Sequence, residues 1–212
     1  QAETFFYRLF RGAGIRGLMA ITKQRILNQG FIVRPLLNEP KSQLENYAQQ
    51  QHLQVVNDPS NNNIHFDRNY IRHQLLPVIK QRWPMYAQVV SRTIAHFQEA
   101  DELLNEIAKA DIALLAAEKS PCVINYIPAL EWSIARRKNA LRYWFQLHQI
   151  TLTSEQLDAV WRDVVLAKID AMPCFYLNKN QSLRRFAKQL YIVTNDKPII
   201  NTQVWNGLEA CY

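Results

Sequence analysis

The sequence is poor in cysteine and has no long apolar run, and each shortage excludes a class of protein. Its three cysteines, Cys122, Cys174 and Cys211, are odd in number and far apart, which is typical of neither a disulfide framework nor a metal site. No stretch approaches the roughly 18 apolar residues that a membrane-spanning helix needs. We therefore expect a protein of the reducing cytoplasm that has no membrane partner.

The sequence also lacks the common catalytic signatures: it contains no metal-ligand spacing, no Ser-His-Asp order and no reactive-cysteine motif. A hydrophobic content of 48% and a charged content of 20% in 212 residues indicate one large or two small globular domains. Residues 1–84 contain 11 Lys and Arg against 5 Asp and Glu, whereas residues 85–212 contain 14 against 13. The first segment is therefore the place to expect an anionic partner.

The first segment, residues 1–84, mixes helical patterns with short extended ones. "QAETFFYRLFRGAG" predicts a helix that ends at Gly12 and Gly14. "FIVRPLL" predicts a strand, and Ser42 with Glu45 predicts a capping box at the start of a second helix. "VVNDPSNNN" predicts a brief strand followed by an Asn-rich turn. The apolar side of the first helix consists of Phe5, Phe6, Leu9 and Phe10.

A helix from about Asp67 to Arg82 carries the most informative residues. Its periodicity predicts that Ile71, Leu75, Val78 and Ile79 face the core, and Pro77 predicts a kink. Beside this face lies a polar stripe of Arg68, Asn69, Arg72 and His73. Two guanidinium groups one turn apart can hold phosphate oxygens, and the histidine can donate a proton. A salt-bridged helix edge with Asp58 or Asp67 as partner remains the alternative.

"RWPMY" at residues 82–86 is the candidate domain boundary. Beyond it we predict a long helix over about 86–118, whose apolar positions include Val90, Ile94, Phe97, Leu104, Ile107 and Leu114. A strand in "SPCVINYIP" precedes a helix in "EWSIARRKNALRYWFQLH", and Ser154 is expected to cap a third helix. "CFYLN" and "LRRFAKQLYIV" predict two strands joined as a hairpin. The second segment is thus a mostly helical α+β unit.

Basic clusters elsewhere are candidates for binding a nucleic-acid backbone. "RRKNALR" places Arg136, Arg137 and Arg142 on one helix, and Arg184 and Arg185 lie in the predicted hairpin. "RGAGIRG" contains three glycines, but it fits neither a Walker loop nor the dinucleotide fingerprint. In that motif the arginines would have to bind the anion.

Read in order, "QAETFF…RGAGIRGL", "RPLL", "NDPSNNN", "RNYIRHQLLP" and "RWP" resemble the bacterial tRNA(Ile)-lysidine synthetases. The resemblance is close over residues 1–84 and looser over residues 85–212. It implies an α/β domain of the PP-loop adenine nucleotide alpha hydrolase-like type, followed by a helical tRNA-binding or substrate-binding domain. It further implies that ATP adenylates C2 of the wobble cytidine of isoleucine tRNA and that free lysine then displaces AMP.

The resemblance also assigns residues. It implies that Arg68, Arg72 and His73 are catalytic, that Glu3 and Thr4 belong to the nucleotide site, and that the remaining basic and polar candidates contact tRNA. Those candidates are Arg11, Asp58, Asn61, Asn69, Arg136, Arg137, Arg142, Arg184 and Arg185. The family's Ser-Gly-Gly-x-Asp-Ser phosphate loop does not occur in the 212 residues. We therefore expect a fragment, inactive alone, whose ATP and Mg²⁺ are bound mainly by a missing N-terminal part.

Two other functions stay open at this stage. One is a different PP-loop enzyme that thiolates tRNA, although such enzymes usually add paired cysteines. The other is a non-catalytic tRNA-binding module. A homodimer formed through exposed Phe5, Phe6 and Phe10 is also a possible state of the chain.

Overall fold

A computed structural model describes residues 1–27, 30–37, 39–54, 56, 58–117, 120–168 and 170–194. The chain divides into two compact units, Gln1–Leu103 and Leu104–Tyr212. The division falls inside a long helix, and the boundary predicted after residue 84 remains a prediction. None of the described helices combines the length and the apolar character needed to cross a bilayer.

The first unit is built from short helices and one small hairpin. Its elements up to residue 50 are α1 (Ala2–Leu9), α2 (Ile15–Leu18), β1 (Gln24–Leu27), β2 (Gly30–Val33) and α3 (Lys41–Gln50). The prediction that the first helix ends at the glycines is confirmed, since Gly12 has a φ of +70° just beyond it. β1 and β2 pair antiparallel, with Gln24 opposite Val33. The strand predicted in "VVNDPSNNN" includes residues 55 and 57, which lie outside the described residues.

Two of the predicted helix caps are wrong. Helix α3 begins at Lys41 after Pro40, with no side-chain cap, so Ser42 lies inside the helix. The predicted partner of Ser42, Glu45, instead forms an ion pair with Lys41 at 3.2 Å. Helix α8 (Ser154–Val160) is capped by Thr153, whose hydroxyl accepts a hydrogen bond from the N–H of Gln156. The glutamine three residues after Thr153 returns the bond, and this reciprocal pair fixes the cap one residue earlier than predicted.

The predicted helix over 67–82 is present, with a wide turn where the kink was expected. It consists of α4 (Asp67–Tyr70), a π-helical turn (Ile71–Leu75) and α5 (Leu76–Arg82). The π turn lies directly before Pro77, which has no N–H and whose ring crowds the preceding turn. A π turn shifts every later residue around the axis, so Leu76 is buried and Val78 is 64% exposed. The prediction that Val78 faces the core is therefore wrong.

The long helix α6 spans Tyr86–Leu115. Val90 and Ile94 are buried as predicted, but Ile107 and Leu114 are 50% and 68% exposed, so the predicted core positions at that end are wrong. The buried side there runs through Ala108, Asp111 and Leu115. A pattern of apolar residues does not include an aspartate. Because the buried face contains Asp111, the apolar pattern predicted the neighbouring face instead.

The second unit packs helices against an antiparallel sheet. Its helices include α7 (Ile134–Leu147) and α8, which continues as a π turn at Trp161–Val165. The sheet has the order β3-β6-β5-β4, from β3 (Val123–Asn125), β4 (Cys174–Tyr176), β5 (Gln181–Phe186) and β6 (Gln189–Thr194). Its core includes the fully buried side chains of Trp144, Phe145, Leu157, Val160, Leu183 and Leu190. This arrangement agrees with a mostly helical α+β unit.

One predicted strand of the second unit is really two. "LRRFAKQLYIV" folds back on itself, because β5 and β6 are joined at Ala187 and Lys188 with φ values of 43° and 66°. Positive φ at both central residues is the geometry of a two-residue hairpin turn whose twist matches the strands. Neither residue is glycine or asparagine, so the usual signal for this turn is absent from the sequence.

Candidate functional site

In the first unit, side chains on one face of α1 contact side chains of the segment 67–75. Arg72 donates hydrogen bonds from Nε and Nη2 to the two carboxylate oxygens of Glu3, at 2.9 and 2.8 Å. The hydrogen bond from Arg72 lowers the pKa of the Glu3 carboxyl group, and the same bond raises the pKa of Arg72. The two-point contact fixes the plane of the guanidinium group, so Arg72 is held in one orientation.

Tyr7 lies one helical turn after Glu3, and two more arginines pack against its ring. The guanidinium carbon of Arg68 lies 5.5 Å from the centre of the Tyr7 ring, and that of Arg11 lies 5.2 Å from it. Arg11 also donates a hydrogen bond to the Tyr7 hydroxyl. Within the described part of the chain, neither arginine has a carboxylate partner. We call Tyr7, Arg11 and Arg68 the Tyr7 cluster; it is a positively charged, aromatic-backed surface suited to phosphate.

Asn69 and His73 point to a different neighbour, the loop that contains the turn Pro59–Asn62. The buried Asn69 amide donates to the carbonyl oxygens of Ser60 and Asn63 at 2.8 and 2.9 Å. His73 Nε2 lies 3.1 Å from the carbonyl oxygen of Asn61. The polar stripe is therefore split: Arg68 and Arg72 face α1, whereas Asn69 and His73 hold the loop.

Arg72 is salt-bridged, as the alternative interpretation expected, but its partner is Glu3 and the partners predicted for it, Asp58 and Asp67, are wrong. The Asp58 carboxylate accepts a hydrogen bond from the backbone N–H of Ser60 at 2.8 Å, and that bond lowers its pKa. Asp58 thus caps its own turn. Thr4, predicted at the nucleotide site, is 5% exposed and belongs to the interior of the unit.

Tyr7 is the residue of this site that sequence reasoning missed. Glu3, Tyr7 and Arg11 are each four residues apart, and residues at this spacing share one face of a helix. The spacing could have identified the line of contacts, but a lone tyrosine in an apolar helix is ordinarily interpreted as core.

The arginines predicted in the second unit are mostly bound within their own fold. Arg136 donates to the carboxylate of Asp111, with a shortest distance of 2.7 Å, and the Asp111 side chain is 3% exposed. Arg136 also stacks over the Trp132 ring, 4.3 Å from its centre, and Arg137 lies 4.4 Å from the centre of the Trp161 ring.

Arg185 is hydrogen-bonded to the end of the π turn of α8 and to the loop that follows it. It donates hydrogen bonds to the carbonyl oxygens of Val165 and Ala167 at 2.9 and 2.7 Å, and also to that of Lys168. Arg142 has an interaction partner as well. Arg184, its side chain exposed on the opposite side of β5, makes no ion pair within the described residues.

Metal and thiol chemistry find little support in the described residues. Among them no group of three His, Cys, Asp or Glu side chains could hold a metal ion, and the carboxylate of Glu3 is taken by Arg72. Cys122 is half-buried, with its sulfur 3.9 Å from His148 Nδ1, and Cys174 is exposed. Cys211 lies outside the described residues.

Comparison with known proteins gives a consistent result along the chain. Residues 1–79 match the family profile described as PP-loop domain, and residues 130–191 match the TilS substrate binding domain. A tRNA(Ile)-lysidine synthase of Coxiella burnetii is 37% identical over 97% of this chain and 46% of its own length. The Serratia proteamaculans and Pseudomonas putida tRNA(Ile)-lysidine synthases are 39% and 40% identical over 91% and 87% of this chain, and over 44% of their own lengths. The chain spans about half the length of the curated relatives it matches.

Proposed function

The chain belongs to the family of tRNA(Ile)-lysidine synthases, and from this premise we propose that the whole protein attaches lysine to the wobble cytidine of isoleucine tRNA. The similarity to relatives of that name, which extends over 97% of the chain in one case, carries the proposal. The order of a PP-loop match followed by a substrate-binding match supports it. Since the relatives are about twice as long, the activity is proposed for the whole protein, and this chain alone is expected to be inactive.

The proposed reaction transfers an adenylyl group and then a lysine. ATP supplies the adenylyl group: the C2 oxygen of cytidine attacks the α-phosphate, and pyrophosphate leaves. The lysine amine then attacks C2, and AMP leaves with the former C2 oxygen while the amine loses its proton. Negative charge on phosphate oxygens is present throughout, so fixed cations around them lower the barrier.

In this scheme the Tyr7 cluster holds phosphate. Arg11 and Arg68 are free of carboxylate partners in the described chain, and both guanidinium groups pack against the Tyr7 ring. Arg72, held by Glu3 through two of its N–H donors, is proposed to offer its remaining donors to the same phosphate. Mg²⁺ belongs to the proposal through the family alone, because the described residues offer no cluster of ligands, and we assign it no residue here.

The remaining predicted residues take supporting roles in the proposal. Asn69 and His73 position the loop that presents Asp58 and Asn61, and through that loop they shape the wall that receives the cytidine. Thr4 is buried inside the unit, next to Glu3 in the sequence, and takes a structural role in the proposal. Residues 1–84 are proposed to be the distal part of the PP-loop domain, which the family match over residues 1–79 supports, and the reaction is proposed to occur in the cytoplasm.

A homodimer is also proposed, on a narrower surface than the sequence indicated. Phe5 is buried and Phe6 is half-buried, whereas Phe10 is 64% exposed. Sedimentation of the full-length protein and of its Phe10→Ser variant tests this point. Equal sedimentation of both proteins as monomers at high concentration would exclude a dimer through Phe10.

The proposed function is tested with the full-length protein, ATP, Mg²⁺, lysine and unmodified isoleucine tRNA. We expect AMP release and stable incorporation of lysine into the tRNA, each abolished when ATP or lysine is omitted. A tRNA in which the wobble cytidine is replaced by uridine is the matched control and should accept no lysine. Sulfur incorporation, or tRNA binding without any chemistry, would contradict the proposal in favour of a thiolating enzyme or a binding module.

A further inference from the structure

Strand β5 of the second unit presents an exposed ring and an exposed cation on the side of the sheet that faces away from the core. Side chains alternate along a strand, and Leu183 on the core side is fully buried. On the other side Arg184 is exposed and Phe186 is 72% exposed. The neighbouring strand adds Tyr176, which is 74% exposed. We call Tyr176, Arg184 and Phe186 the outer sheet face.

Strand pairing sets the spacing of the outer sheet face. Tyr176 is paired with Ser182, and Arg184 is paired with Cys174 on one side and Tyr191 on the other. Phe186 lies four residues beyond Ser182, the residue opposite Tyr176. Because a strand rises about 3.4 Å per residue, the backbone positions that carry the two rings are about 14 Å apart. At this separation the rings would stack on two different bases, with the guanidinium of Arg184 between them. Ser182 itself is covered, whereas Cys174 and Val193 on the same face are exposed beside the two rings and the arginine.

Charge identifies the kind of partner. Residues 174–194 contain Lys179, Arg184, Arg185 and Lys188 and no aspartate or glutamate. Arg185 is used by the fold, but Lys179 and Lys188 are exposed in the turns at the two ends of β5. An all-basic surface with exposed rings is unfavourable for a basic or neutral protein partner, and it matches a strand of nucleic acid.

The end of the face near Phe186 is also concave. A groove of about 560 Å³ is lined by Phe186, Lys188, Met172 and Tyr126, and its lining also includes one carboxylate, that of Asp170. Met172 is 93% exposed, so the groove has an open apolar wall beside a cation. A base stacked on Phe186 would fill this groove while its phosphate lies near Lys188.

From these observations we infer that the outer sheet face of the second unit binds a single-stranded or loop segment of RNA by stacking bases on Tyr176 and Phe186. The identity of that RNA as isoleucine tRNA rests on the proposed function. The inference changes the expected binding residues: Arg184 and the two rings replace Arg136 and Arg185, whose guanidinium groups donate hydrogen bonds within the unit.

The test measures binding of fluorescently labelled, unmodified isoleucine tRNA to the full-length protein over a series of salt concentrations. Phe186→Ala and Tyr176→Ala should each weaken binding roughly fivefold to a hundredfold. Neither should change the slope of log Kd against log salt, whereas Arg184→Gln should reduce that slope by about one unit. Tyr47→Ala removes a similarly exposed tyrosine, 61% exposed on α3, and should leave binding unchanged.

The outcomes separate this inference from the proposed function. If both ring variants bind tRNA within twofold of the wild type, the inference is wrong, whatever the enzyme does. If they bind normally but sediment differently, the face is a protein interface and the inference is equally wrong. If the ring variants lose binding while the wild type never incorporates lysine, the inference holds and the proposed function fails. Thermal melting of each variant confirms folding, which truncation of such exposed rings should preserve.

Discussion

The Tyr7 cluster of the first unit uses its arginines differently from the way Arg136 and Arg185 are used in the second unit. In the first unit Arg11 and Arg68 stack on one tyrosine and have no carboxylate partner in the described chain. In the second unit Arg136 is tied to a buried aspartate and Arg185 to backbone carbonyl groups. Arginines that look alike in sequence therefore differ in what they can bind. Arg185 uses its N–H donors on three carbonyl groups, whereas Arg68 makes only a ring contact within the described residues.

The largest change in activity is expected when Arg72 is substituted. Arg72→Ala in the full-length protein should reduce lysine incorporation by at least about a hundredfold, because a fixed cation is lost from the phosphate-binding wall. Lys80→Ala, an exposed cation on α5, is the matched control and should stay near wild type. Equal activity of the two variants would remove Arg72 from the catalytic wall.

The second effect concerns stability. Arg185→Met should lower the free energy of unfolding of the second unit by about 3 kcal/mol, since carbonyl groups around residues 165–168 lose their donor. Arg184→Met, one residue earlier with no ion pair in the described chain, should change it by less than about 0.5 kcal/mol. Urea unfolding of the full-length protein measures both. A reversed order would show that the comparison of the two arginines is wrong.

The third effect tests the loop beside the stripe. Asn69→Ala leaves the carbonyl groups of Ser60 and Asn63 without their donor and should cost about 2 kcal/mol of stability. The loop should then be cut faster by a protease in limited digestion. Asn62→Ala changes an exposed asparagine of the same loop and should have neither effect. Identical digestion patterns would mean that Asn69 does not hold the loop.

The smallest effect is a pH dependence. The pKa of Glu3 is lowered in the folded protein by the hydrogen bond from Arg72, so the pair stabilises the fold above the unfolded pKa of Glu3 and this contribution is lost as the pH falls through the folded pKa. Because both side chains are about one-third exposed, the contribution should be below about 1 kcal/mol. Unfolding free energies of wild type and Glu3→Gln should therefore differ at pH 7, and the difference should shrink as the pH falls through the folded pKa of Glu3. A difference that does not shrink on acidification would contradict the assignment.

Periodicity and turn residues predicted most elements, because long amphipathic helices and strands bounded by turn residues leave strong local signals. The helix over 67–82 and strand β3 are examples. The failures have identifiable causes. The π turn before Pro77 shifted the buried face, and the buried Asp111 hid the true face of α6. The hairpin at Ala187 and Lys188 lacks the usual turn residues.

The candidate site was predictable as a set of residues but not as a geometry. Sequence placed Arg68, Asn69, Arg72 and His73 on one stripe, and the structure splits them between two neighbours. The pairing of Glu3 with Arg72 joins residues 69 positions apart. Such a contact depends on how two helices cross, and no local pattern encodes that crossing.

The central claim is that Arg68 of the Tyr7 cluster serves the reaction, whereas Arg185, which donates to backbone carbonyl groups, serves the fold. The most direct measurement is lysine incorporation per folded molecule by full-length Arg68→Gln and Arg185→Met proteins, with folded fractions determined by unfolding curves. We predict that Arg68→Gln is as stable as the wild type and has lost most of its activity, whereas Arg185→Met is less stable and active once folded. An active Arg68→Gln protein together with a stable, inactive Arg185→Met protein would contradict the account.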